Sequence, residues 1–128
     1  MNQTQRPAGL EGGSATVEFA LVIPIVLLVL VALVEVAVVA RTQIELLGAA
    51  RQGARVAATN PDPAVAVEAV HGALGDGLAG RVIVTVDRPA VVGREAVVRL
   101  SMTHNLAAAW FGGLPVDLFA RSVMRVER

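Results

Sequence analysis

The sequence predicts an α+β protein: a long N-terminal transmembrane helix continues as an amphipathic spine and is followed by a second short helix and a small antiparallel sheet of about three strands. Phe19 to Ala40 is apolar apart from Glu35. Helical chemistry then runs without a break from Arg41 to Ala58. From Arg81 onward, apolar and polar residues alternate, the periodicity of a strand with one face buried.

Met1 to Gly13 (MNQTQRPAGLEGG) is polar, Gly-rich and interrupted by Pro7, so it reads as a tail without packed structure. Small and polar residues continue to Glu18, and Phe19 opens the apolar run. That run of about 22 residues spans about 33 Å as a helix, slightly more than the roughly 30 Å hydrocarbon core of a bilayer. Burying such an all-round apolar helix in a soluble core needs a large domain, and the 128-residue chain leaves only about 88 residues beyond Ala40. The run is also too long for the apolar core of a secretory signal. Pro24 lies inside it, where it frees the carbonyl near Ala20 and favours a kink or local loosening that neighbouring helices can accommodate in a membrane.

Arg41 to Ala58 (RTQIELLGAARQGARVAA) places Ile44, Leu47 and Ala54 near one stripe, extended by Ala50 and Ala58, with Arg41, Gln43, Glu45, Gln52 and Arg55 covering the other faces. Gly48 and Gly53 each weaken this helix by up to about 1 kcal/mol relative to Ala, and each admits another backbone closely. Asn60-Pro61-Asp62-Pro63 ends it and opens the next helix, with Asn60 or Asp62 as N-cap. Ala64 to about Leu78 is the second helix, with Val67, Val70, Leu74 and Leu78 on one side and Gly75, Gly77 and Gly80 fraying its end.

In the first strand, Val82, Val84 and Val86 alternate with Ile83, Thr85 and Asp87, and the run stops at Arg88-Pro89. A turn near Gly93 leads to Glu95–His104, where Val98, Leu100 and Met102 oppose Arg99, Ser101 and Thr103. Asn105 to Pro115 reads as a turn of helix around Trp110-Phe111 and a Gly-Gly-x-Pro break. The last strand, Val116 to Val126, sets Leu118, Ala120, Met124 and Val126 against Phe119, Arg121, Val123 and Arg125. Short connections favour antiparallel pairing, with the helices on one face of the sheet.

Composition narrows the function. Cysteine is absent, which removes disulfide scaffolds, thiolate metal sites and cysteine nucleophiles. Eleven basic residues, all Arg, balance eleven acidic ones, and three Phe, one Trp and no Tyr provide few stacking platforms, which argues against nucleic-acid binding. His71 and His104 sit in different elements without a carboxylate or histidine at ligand spacing, so no metal site is expected. Ser14, Ser101 and Ser122 lack a nucleophile-elbow context, and no glycine pattern forms a phosphate loop. No catalytic residue and no cofactor are expected.

The two acids of the opening stretch carry more information. Glu18 borders the apolar run, where a carboxylate sits at headgroup level without penalty. Glu35 lies about 9 Å inside the Arg41 boundary, where it snorkels outward, is neutral, or meets a positive partner on another subunit.

Three pieces resemble the TadE-like pseudopilins of the bacterial tight-adherence (Flp) pilus system, a type IVb-like assembly. Gly13 to Glu35 (GSATVEFALVIPIVLLVLVALVE) looks like the family's glycine, then glutamate-phenylalanine signature ahead of an apolar helix with a proline and a late glutamate. Ala49 to Ala58 (AARQGARVAA) and Phe119 to Glu127 (FARSVMRVE) are similar to its post-membrane block and closing strand. The resemblance implies a pilin-like fold in three parts: residues 1–13 as a cleaved cytoplasmic leader, 14–40 as the transmembrane helix and 41–128 as an extracytoplasmic α+β domain. It implies a non-enzymatic minor pilin or pseudopilin of the cytoplasmic membrane, single-pass, with its N-terminus cytoplasmic and its C-terminal domain outside. Gly13 and Ser14 then flank the cut made by a prepilin peptidase, and Glu18, Phe19 and Glu35 serve assembly and charge pairing. Its partners are that peptidase, other pilins or pseudopilins, the pilus membrane platform and the lipid bilayer, with no nucleic acid. Charge alone points the other way, because Arg41, Arg51 and Arg55 make the C-terminal flank the more basic. The alternative is an unprocessed single-pass protein whose outer domain binds a cell-envelope ligand, with Trp110 and Phe111 as an exposed anchor.

Overall fold

The computed structural model describes residues 11–106 and 113–127. The expected tail from Met1 to Leu10 and the expected helical turn around Trp110-Phe111 lie outside the described residues. The chain divides into two compact units, Met1–Val36 and Ala37–Arg128.

The first helix, α1, runs from Glu11–Thr59 with Pro24 inside it. It begins ahead of Gly13, so Glu11, Gly12 and Gly13, expected as the end of the unpacked tail, are helical. In the first unit, none of the apolar side chains from Val17 to Val36 is buried. A soluble protein would hide such a surface, because exposed apolar patches beyond a few hundred Å² mark interfaces with protein or lipid.

In the second unit, α1 buries Thr42, Leu46, Ala49, Ala50, Gly53, Ala54, Ala57 and Ala58, a stripe at helical spacing. This corrects the expected stripe: Ala50, Ala54 and Ala58 belong to it, but Ile44 is 71% exposed and Leu47 only half-buried. Apart from Leu46, small residues mark the packed face, because they let other elements approach closely. At Gly53 an added Cβ would run into the Val70 side chain and would lie 3.4 Å from Val98 Cγ1 and 3.5 Å from the Ala66 carbonyl. Thr42, though polar, is satisfied within the helix, its Oγ1 donating to the Val38 carbonyl at 3.0 Å.

Gly48 differs from Gly53. Nothing lies within 4 Å of where its Cβ would be, so only its helix-weakening entropy operates. Gly48→Ala is therefore expected to stabilise the second unit by about 0.5–1 kcal/mol, seen as a higher melting temperature of the full chain in detergent. A lower melting temperature would show that something else occupies that space.

Other elements satisfy the last carbonyls of α1. Asn60 N donates to the Val56 carbonyl at 2.8 Å, Arg88 Nε to that of Ala57 at 2.6 Å, and Glu127 N to that of Ala58 at 2.9 Å. α1 has no basic residue in its last turn, so Arg88 brings the cation that the negative end of the helix dipole favours. The second helix, α2, runs Pro63–Ala73 and is capped by Asp62, whose Oδ1 accepts from Ala64 N at 2.9 Å. Of the two candidate caps Asp62 takes that role, while Asn60 Oδ1 accepts from Asp62 N in the turn before it. The expected single helix to Leu78 breaks at Leu74, and a short α3 follows over Gly75–Ala79. Ala66, Val70 and Leu74 are buried, with Leu78 packed partly against them.

Strands β1 (Ile83–Asp87), β2 (Glu95–Asn105) and β3 (Pro115–Arg125) form an antiparallel sheet in the order β1-β2-β3. The turn between β1 and β2 uses Gly93 at φ 87°, a conformation that L side chains avoid, and Gly93 N donates to the Val126 carbonyl at 2.9 Å. One face of the sheet sends Val82, Ala96, Val98, Leu100, Met102, Leu118, Ala120 and Val126 into the core with Leu46 and the small residues of α1. The expected alternation holds in all three strands, with two exceptions. Met124 is 42% exposed at the sheet end where its register partner is Ala96, and Val97 is buried although it belongs to the outer face.

Candidate functional site

Gly13, Ser14, Glu18 and Phe19 all lie near the start of α1, on its first unit. Ser14 and Glu18 are four residues apart, which puts them on one side of the helix about 6 Å apart along its axis. Gly13 is exposed and has open space around its Cβ position, and Phe19 and Glu18 are exposed as well. A backbone segment meant for a protease must be reachable and extendable, and a single helical turn at a helix start is the least costly piece of helix to unwind.

Glu35 is half-buried and stands about 25 Å along the helix from Glu18. The two carboxylates therefore do not form a joint site. One marks the polar edge where the apolar run starts, and the other sits close to where it ends.

The histidines are also kept apart, His71 in the last turn of α2 and His104 on β2, and among the described residues no group of three His, Asp or Glu is placed to hold a metal. The Trp110-Phe111 anchor of the alternative reading lies outside the described residues. Sequence reading did not single out the pair formed by Arg99 and Arg121. Both stand in outward register on their strands, a visible signal, but only the strand register makes them direct neighbours. They line a shallow, open depression of about 360 Å³ together with Thr85, Ser101 and Phe119.

These observations define a class: a protein with, among the described residues, one helix long and apolar enough to cross a membrane, followed by a small α+β unit. Residues 13–55 match the family model described as TadE-like protein, which contains both the Gly13 to Glu35 signature and most of the Ala49 to Ala58 block on which the resemblance was read. No curated protein and no solved structure matches the chain.

Proposed function

We propose that this chain is a non-enzymatic minor pilin or pseudopilin of a tight-adherence pilus system, held in the cytoplasmic membrane with its N-terminus inside and its α+β unit outside. A prepilin peptidase removes the leader between Gly13 and Ser14, and the mature subunit then acts in assembly or anchoring with other pilins and the membrane platform. The observation that carries this reading is the spacing of Gly13, Glu18 and Phe19 ahead of an apolar helix with no buried side chain from Val17 to Val36, within the segment that matches the TadE-like model.

Cleavage at that point has a physical consequence. It makes Ser14 the first residue of the helix and gives it an ammonium, with the Glu18 carboxylate in the first turn. An acid there is favoured by the helix dipole, and it neutralises its own ammonium or that of a neighbouring subunit, a contact that gains weight in a low-dielectric bundle. Removal of the polar leader also frees the apolar helix to associate side by side.

Mass spectrometry of the protein from cells with an active prepilin peptidase tests the reading. The expected mature chain begins at Ser14. A chain that still begins at Met1 under those conditions overturns it, and a cut at Gly12 would move Glu18 one residue out of the proposed pairing position.

A further inference from the structure

The geometry points to a carboxylate-binding docking surface on the outer face of the sheet, where Arg99 and Arg121 grip an acidic, partly apolar segment of a second protein. The two arginines are register partners on β2 and β3, in a row completed by Thr85 of β1. Directly opposed residues on one sheet face have Cβ atoms about 5 Å apart, and like charges so placed oppose folding. Among the described residues, neither guanidinium has an ion pair or hydrogen bond that would offset this. Asp117, an acid of the same face, accepts from Thr103 Oγ1 at 2.8 Å instead. Asp87 stands in the neighbouring row of that face and pairs with neither arginine, so the two adjacent guanidiniums are a ready-made fork for a carboxylate, which each can bind through paired N–H donors.

The next row of the sheet is apolar at both edges. Ile83 and Phe119 flank Ser101 and are 69% and 65% exposed. The depression between the two rows is lined by Thr85, Arg99, Ser101, Phe119 and Arg121. A cationic row beside an apolar row calls for a ligand that alternates carboxylate and hydrophobic side chains, as an extended peptide does. A second copy of this chain is the wrong occupant for a face-to-face contact, since a two-fold axis there would set the arginine pair against itself. The inference does not depend on processing at Gly13, so either can fail alone.

The test uses the full chain in detergent and a short fluorescein-labelled peptide of alternating glutamate and valine, with its glutamine counterpart as control. Fluorescence anisotropy should show saturable binding of the acidic peptide only. The double variant Arg99→Ser, Arg121→Ser should lose about tenfold or more in affinity, as expected when charge-assisted hydrogen bonds are removed. Arg125→Ser, near the end of β3 and outside the depression, should bind as the parent does. The melting temperature of the double variant should stay equal or rise, since a like-charge contact is removed. No binding, equal binding by the double variant, an equal loss in Arg125→Ser, or a fall in melting temperature would each overturn the proposal. So would loss of a self-associated species in sedimentation velocity of the double variant, which would make the face a contact between copies.

Discussion

Gly53→Leu is expected to lower the stability of the Ala37–Arg128 unit by about 3 kcal/mol or more, enough to move its melting temperature down by over about 10 °C. The cause is the contact of α1 with α2 and the sheet. Any Cβ at position 53 meets the Val70 side chain and closes on Val98 and the Ala66 carbonyl. Val70 and Val98 are fully buried and β-branched, so neither can rotate away cheaply. The helix propensity gained by replacing glycine returns up to about 1 kcal/mol, which the overpacking exceeds. Gly48→Leu supplies the control, because its Cβ position is open and its residue exposed. The measurement is thermal unfolding of the full chain in detergent by circular dichroism. Equal melting temperatures for the two variants would mean that α1 does not pack on α2 through Gly53.

Glu18→Ala is expected to leave removal of the leader largely intact while cutting pilus assembly by about a hundredfold or more. In the proposed reading the peptidase would act on the backbone at Gly13-Ser14, a turn earlier on the helix, whereas the carboxylate would be needed only once the Ser14 ammonium exists. Leaving one partner of a buried ion pair without the other costs about 3–5 kcal/mol, and about 3 kcal/mol is already more than a hundredfold in an association equilibrium. Mature N-termini by mass spectrometry and pilus counts by electron microscopy read the two steps separately. Normal pili on the mutant would refute the charge-pairing argument, and an unprocessed mutant would move the role of Glu18 to peptidase recognition. The expected effect of Glu35 is smaller, because it stands about 25 Å away along the helix, near the end of the apolar run.

Element types were legible in the sequence wherever the periodicity was strong. The apolar run with its helical continuation gave α1, and the period of two gave three strands with nearly correct inward faces. The second helix was placed correctly, but its break at Leu74 was not, since a glycine-rich end does not say where the chain turns. The packed stripe of α1 was misjudged because hydrophobic size was followed: Ile44 is the bulkier residue, yet the face bearing Ala49, Ala50, Gly53 and Ala57 is the one that packs. Smallness signals a close approach only when the approaching surface is known.

By itself the sequence determined that there is one helix fit to cross a membrane, that its polar edge carries Gly13, Ser14, Glu18 and Phe19, and that a small antiparallel sheet follows. These follow from length, residue type and spacing along the chain, all of which are local. Only the tertiary structure decided that Gly53 sits against Val70, that Arg88 closes the carbonyl end of α1, and that Arg99 and Arg121 stand side by side. Each joins residues at least 17 positions apart, set by strand register and by the depth to which α1 settles onto the other elements, and no local pattern records either.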